Sequence, residues 1–467
     1  MARRKSKPPP AEKYEPLVPD YAPQGHTCTS ISEKISAIVL ERPTYWRWLA
    51  LFGFGNALLA MFGGVIVYLL LTGVGIWGIN IPVGWGFTIT DFVWWIGIGH
   101  AGTLISAILL LMHQKWRTSI NRIAEAMTIF GVMCAGMFPL LHLGRPWFFY
   151  WLLPYPNTMR LWPQFRSALV WDVFAVSTYF LVSLIFWYLG MIPDLACLRD
   201  RAKGIWARRC YGVLALGWRN SARHWHRYET SYLLLGGLAT PLVVSVHSVV
   251  SSDFAISLEP AWHETVFPPY FVAGAIFSGF AMVLILCICL RHLYGLKEFI
   301  KMEHLSVMGK IIVATSLFTS YGYLSEQFVT WMNGETYDRY VYWYRLTGFD
   351  QYAYVTWTLF TCNTLVPQLL WIPALRRSEL ALFLVSIDVL VGMWLERYMI
   401  ITSSLSRDFL TSSWGIFRPT IWDFLTFFGS IGLFLVAFML FCRFLPMMSM
   451  SEMRGMLPGA HGHPEGY

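Results

Sequence analysis

The sequence predicts an all-α membrane protein of ten transmembrane helices with both termini in the cytoplasm. Three observations lead there. Of 467 residues, 56% are hydrophobic and only 13% are charged, about half the 25% or so of a typical soluble domain. The apolar runs reach about 20 residues, the length a helix needs to cross hydrocarbon. They are apolar on all sides rather than alternating, which argues against the strands of a membrane barrel. A mean hydropathy of +0.49 and 23 Trp exclude a disordered chain, a fibrous chain and an ordinary cytosolic enzyme.

In chain order, residues 1–45 read as a basic, Pro-rich cytoplasmic arm. The arm has no short apolar core before a small-residue cleavage site, so a secretory signal is not expected. Spans are expected at 48–72, 87–112, 122–149, 167–192, 229–252, 267–291, 305–331, 353–374, 379–401 and 419–445. Gly and Pro inside several of them are tolerated, because neighbouring helices re-satisfy the backbone. The loop 193–228 is basic and carries Trp206, Trp218 and Trp225, the pattern of an interfacial helix. The segment WMNGETYDRYVYWYR (331–345) is an aromatic belt or a seat for a partner subunit.

Orientation follows from the bases. With the N-terminus inside, 27 of the 35 Lys and Arg fall on the cytoplasmic side, as the positive-inside rule requires. The net charge of +8 is thereby accounted for by short loops, and no nucleic-acid partner is expected. The eight cysteines form no C-x-x-C and no C-x-x-C-H, so neither an iron–sulfur cluster nor a c-type haem has a motif in this chain. No metal site is expected.

Ionisable groups inside a membrane are costly, so each is a functional candidate. The topology puts Asp91, His142, Arg145, Asp172, Asp253, His263, Glu264, Glu326, Glu396 and Asp423 near the outer ends of spans, with His100, His247, Asp388 and Lys310 deeper. His142 closes span three and Asp172 opens span four. The two spans are antiparallel neighbours across a short loop, so imidazole and carboxyl can face one apolar cavity. Oxidation of a quinol needs such a pair, because each hydroxyl loses a proton to a base within hydrogen-bond reach, and histidine titrates near neutrality. Other readings stay open. A membrane histidine also serves as a cross-helix hydrogen-bond partner, Asp172 also fits a group stabilising a helix start, and Arg145 also fits an interface anchor. Asp253, His263 and Glu264 flank the loop after span five, where they fit a proton exit, hydrogen-bonding groups at the cavity mouth, or ordinary wet loop residues. Asp91, His100, His247, Glu326 and Asp388 are candidates for a proton path. His142 and His247 facing one another would instead clamp a haem.

The segments LLHLGRPWFFYW (140–151), SALVWDVFAVSTYF (167–180), PLVVSVHSVVSSDFA (241–255) and WHETVFPPYFVAGAIFSGFAMV (262–283) together resemble the polysulfide reductase NrfD family of membrane quinone subunits. Within it the chain looks most like the ActC-type subunits of bacterial alternative complex III. The resemblance implies two four-helix bundles, 87–252 with the quinol site and 253–401. A peripheral helix (46–75) precedes them, and a last helix with a cytoplasmic tail (402–467) follows. It implies that His142 and Asp172 are catalytic and that His142, Arg145, Asp172, Asp253 and Glu264 border a quinol pocket. The expected ligand is a non-covalent quinol or quinone, with menaquinone as the expected form and no haem or cluster in this chain. The implied partners are c-type haem subunits, a periplasmic iron–sulfur subunit, a second NrfD-like membrane subunit, membrane lipid and a terminal oxidase. The implied location is the bacterial inner membrane, with some part in proton translocation. The rival readings are the membrane anchor of a molybdopterin-type reductase such as polysulfide reductase, and a secondary transporter. No internal repeat is evident, which weighs against a transporter of inverted halves.

Overall fold

The structure, a computed structural model, describes residues 21–41, 46–153, 164–333, 335–348 and 351–457. Most of the expected 1–45 arm and the tail beyond residue 457 lie outside the described residues. Those residues fold as α1 (Cys28–Leu40), α2 (Trp46–Thr72), α3 (Phe87–Leu111), α4 (Asn121–His142), α5 (Ala168–Arg201), α6 (Ile205–Leu214), α7 (Ala222–Ala255) and α8 (Phe267–Leu293). They continue as α9 (Met302–Asn333), α10 (Thr336–Thr347), α11 (Gln351–Phe360), α12 (Pro373–Arg376), α13 (Glu379–Leu405), α14 (Ile421–Phe444) and α15 (Met450–Gly455). No strand occurs among the described residues. Eight helices, α2, α3, α4, α5, α7, α8, α9 and α14, are long and apolar enough to cross a membrane. The chain is a multi-pass membrane protein.

Helix α3 is the axis of the molecule. It packs on α4, α7, α8 and α13, while α5 pairs with α7, α8 with α9, and α11 with α13. In hydrocarbon, helices associate where small residues let backbones approach. A Cβ on Gly102 would stand 2.0 Å from the Ala124 carbonyl oxygen, and one on Gly432 would stand 2.5 Å from the Leu58 Cβ. The first contact closes α3 on α4, and the second closes α14 on α2. Gly102→Ala is therefore expected to cost about 1–3 kcal/mol, because a rigid carbonyl cannot yield as a side chain would. Thermal unfolding of the detergent-solubilised protein checks this, and an unchanged midpoint would contradict the close approach.

Three expected elements differ. The third span stops at His142 rather than at 149. Gly144 takes φ +69°, and Pro146–Leu152 forms a 3-10 turn, because a left-handed glycine followed by proline ends an α-helix. The eighth span is discontinuous: α11 passes into a π turn at Thr361–Leu365, a 3-10 turn at Val366–Trp371, and then α12. Pro367 and Pro373 each remove a backbone donor there. Side chains take up part of the loosened backbone, since Ser316 Oγ donates to the Asn363 carbonyl at 2.6 Å and Gln368 Nε2 to that of Thr364 at 3.1 Å. The fourth span runs on through Pro193 to Arg201, so only α6, at 205–214, lies between it and α7.

The ends of the helices differ in character. At the basic end, α1 buries Ile31, Ile35 and Val39 and touches α5, α14 and α15. Its start is capped reciprocally by Thr27 and Ser30. Glu298 joins this end by accepting from Lys34 Nζ and from His26 Nε2 at 2.9 Å. Those two partners, Lys34 first, hold its carboxyl below the usual range. The opposite, aromatic end carries the Pro146–Leu152 turn and α10, with Trp147, Trp151 and Trp343 exposed.

Candidate functional site

At the aromatic end the start of α5 meets the end of α7. Asp172 sits in the second turn of α5 and Asp253 in the last turn of α7, and their carboxyl groups lie against one another. Two carboxyls this close in an apolar setting would share a proton rather than both ionise. Asp172 is 7% exposed, and the Oδ1 atoms of both residues are buried with no hydrogen-bond partner.

Asp253 also lines a cavity of about 460 Å³, within the range of small-molecule sites. Its apolar walls include Trp85, Trp262, Ile256 and Leu405, and Arg166, Ser257 and Glu259 add polar groups. Trp85 and Trp262 stack with ring centroids 5.8 Å apart. The Trp262 indole is held by donating Nε1 to the Ile400 carbonyl at 2.7 Å. A flat aromatic wall beside a close acid pair suits a planar molecule with hydroxyl or carbonyl groups.

His142 is the last residue of α4 and is half-buried. Its Nδ1 lies 3.5 Å from Thr88 Oγ1 on α3. The structure brings Asp172 to Asp253, and no hydrogen bond or ion pair joins His142 to Asp172 among the described residues. Neither His142 nor the exposed Arg145 is in the cavity wall. Helices α4 and α5 do pack together, so His142 belongs to the same end of the bundle.

Glu264 and Glu326 form a separate group with α10. Glu326 accepts from Tyr342 OH and lies 3.5 Å from Arg345 Nη1. Arg345 in turn donates to Ser403 and Ser404, both at 2.8 Å. Glu264 is 5% exposed and accepts from Thr330 Oγ1 at 3.4 Å. Burial, then the neighbouring charge of Glu326, pushes its carboxyl up to about 7. Asp91 is fully buried and accepts from Trp394 Nε1 at 2.8 Å, tying α3 to α13.

Of the deeper groups, His100 and His247 meet. Their Nδ1 atoms are 2.8 Å apart, so one ring donates and the other accepts. Both are 1% exposed, and neither Nε2 has a partner. Tyr179 packs its ring 4.5 Å from that of His100. His247 is thus turned to His100 rather than to a gap shared with His142, as a haem clamp between those two would require. Asp388 is half-buried beside the Cys362 thiol. Among the described residues, no group of three or more His, Cys, Asp or Glu is arranged to hold a metal ion.

Sequence reasoning misses a buried ionic cluster at the basic end. Arg122 of α4 lies 3.3 Å from Asp194 of α5 and 3.9 Å from Glu125. Glu125 accepts from Ser106 Oγ and from Tyr232 OH, the latter at 3.1 Å. Arg122 and Glu125 are three apart, close to one helical turn, which is the available signal. They open a span, where such charges read as solvated. Asp194 falls in the loop expected at 193–228.

A family model described as "Polysulphide reductase, NrfD" matches residues 78–407. Among individual proteins, the chain is 27% identical over 239 residues to a putative dimethyl sulfoxide reductase membrane subunit of Halobacterium salinarum, covering 48% of this chain and 50% of that one. It is 25% identical to a selenate reductase subunit of Mesobacillus selenatarsenatis, covering 49% and 54%. It is 21% identical to an Hdr-like menaquinol oxidoreductase integral membrane subunit of Archaeoglobus fulgidus, covering 47% and 46%. The chain spans about half the length of the curated relatives it matches.

Proposed function

Because this chain belongs to the polysulphide reductase NrfD family over residues 78–407, we propose that it is a quinol-binding and quinol-oxidising membrane subunit of a respiratory oxidoreductase of the alternative complex III type. The observation that carries this reading is the Asp172–Asp253 carboxyl pair opening through Asp253 into an aromatic-walled cavity. A quinol releases two protons and two electrons on becoming a quinone. One hydroxyl would donate to Asp253, whose close approach to Asp172 spreads the incoming proton over two acids. His142, outside the cavity wall, serves as a second base at this end of the bundle, where Arg145 and Glu264 also lie outside the lining. A base within hydrogen-bond reach is what makes removal of each proton efficient.

In this proposal α11–α12 and α13 are the eighth and ninth of ten spans. Residues 87–252 and 253–401 form two bundles, with α2 and α14 peripheral, and the basic end faces the cytoplasm of a bacterial inner membrane. Electrons leave at the aromatic end to a periplasmic iron–sulfur subunit and then to c-type haem subunits, beside a second NrfD-like subunit and a terminal oxidase. The quinol is menaquinol, and the family's menaquinol-named relative supports that choice. Asp91, the His100–His247 pair, Glu326 and Asp388 are the candidates for moving protons through the membrane.

The dimethyl sulfoxide and selenate reductase names of two relatives favour a second reading. In it the same site oxidises quinol to feed a molybdopterin-type reductase. Haem c in the purified complex supports the first reading, and molybdopterin without haem supports the second. The test of the shared chemistry is His142→Ala in the intact complex. Quinol-dependent turnover is expected to fall about a hundredfold, the usual contribution of a general base, with assembly retained. Unchanged turnover would remove His142 from the reaction.

A further inference from the structure

A second large cavity, of about 420 Å³, lies at the basic end, the opposite end from Asp253. Its walls come from Leu110 of α3, Arg117 in the turn between α3 and α4, Trp225, Tyr228 and Tyr232 of α7, and Glu452 of α15. Tyr228 and Tyr232 stack at 5.6 Å with ring planes 9° apart, and Trp225 meets Tyr228 edge-on at 5.7 Å. The lining is therefore a flat aromatic face with a few polar groups.

Two polar atoms of that lining lack a hydrogen-bond partner. Arg117 pairs with Glu452 through Nη2 at 2.9 Å, which leaves its Nη1 without a hydrogen bond, and the Tyr228 hydroxyl is without one as well. Each residue is 8% exposed. Buried donors without partners are rare in native proteins and call for an occupant. The rim carries Leu233, which is 47% exposed, next to Leu234 at 69%. On a membrane-spanning helix such leucines face lipid, so the cavity opens sideways into the bilayer.

Charge decides the class of occupant. Glu452 neutralises Arg117, and Glu229 on the wall adds a further negative charge. An anionic headgroup gains nothing from that balance. A neutral ring bearing acceptor oxygens satisfies both donors and stacks on the aromatic face. We propose that this cavity is a second binding site for an isoprenoid quinone, its carbonyls accepting from Arg117 Nη1 and Tyr228 OH and its tail leaving past Leu233. The site goes beyond the one at Asp253 and is a binding site with no redox step assigned to it.

A photoreactive azidoquinone with an isoprenoid tail, applied to native membranes holding the whole complex, tests the proposal by peptide mapping. Label is expected on the α7 segment 225–233. Tyr228→Phe keeps the shape and removes one hydrogen bond, so it should weaken labelling about fivefold, and Leu233→Trp should block the rim. Both variants should leave labelling around Trp85 and Trp262, and turnover, unchanged. Three results would overturn the site: no label on 225–233 while the Trp85 side is labelled, undiminished label in Leu233→Trp, or loss of label to phosphatidylglycerol vesicles as readily as to unlabelled quinone. The last would make it a phospholipid seat. Label on 225–233 without label near Trp85 would instead count against the quinol site at Asp253 and leave this one standing.

Discussion

Asp172→Asn and Asp253→Asn should each lower quinol-dependent turnover about a hundredfold or more, and the double variant should be no slower than the worse single one. The reason is the close approach of the two carboxyls, which a shared proton would join. Asparagine keeps the size and can still hydrogen-bond, but it cannot take up a proton at neutral pH. Once either acid is gone, the pair no longer disperses an incoming proton, so removing the second adds little. Groups that act as a unit give such non-additive losses. Steady-state turnover of the intact complex with the two single variants and the double one checks this. Multiplying losses would show that the two acids work independently, and unchanged rates would remove the pair from the reaction.

Arg122→Ala should have the largest effect on stability. Arg122 is 1% exposed and donates to the Gly190 carbonyl at 2.8 Å and to Asp194 at 3.3 Å. Removing it leaves the buried Asp194 and Glu125 without their cation, and breaking a buried ion pair from one side costs about 3–5 kcal/mol. The α4–α5 crossing is joined here to the C-terminal segment as well, since the Ser451 N–H donates to Asp194 at 3.1 Å. The complex is expected to purify in low yield with a lowered unfolding midpoint. An Arg122→Ala/Asp194→Asn double variant should recover part of the loss by removing one stranded charge. A wild-type midpoint in the single variant would show that water reaches this cluster.

How much the sequence reveals depends on whether the signal is local. Composition and apolar run length suffice for a multi-pass helical protein, because crossing hydrocarbon demands about 20 apolar residues in a row. The acids and imidazoles near one set of helix ends are also legible, since depth follows from counting along a span. Pairing is not. Shared depth matches His142 with Asp172, whereas the structure sets Asp172 against Asp253 and His142 beside Thr88. Depth along a helix says nothing of the direction in which a side chain points around it. His100 and His247 are separated by 147 positions, and no pattern in either span marks them as partners.

Helix continuity divides along the same line. The fourth span is expected to end at 192, but α5 runs through Pro193 to Arg201, because contacts from neighbouring helices in a membrane compensate for a missing donor. In the α11–α12 segment Pro367 does interrupt the helix, and Ser316 and Gln368 supply hydrogen bonds there. By itself, then, the sequence determined the solvent in which this chain folds and the approximate limits of its apolar helices. Tertiary structure alone decided which acids are neighbours, which charges are buried and where the two cavities open. The physical reason is that hydrophobic length is a property of each segment, whereas a hydrogen bond or a cavity exists only between segments brought together.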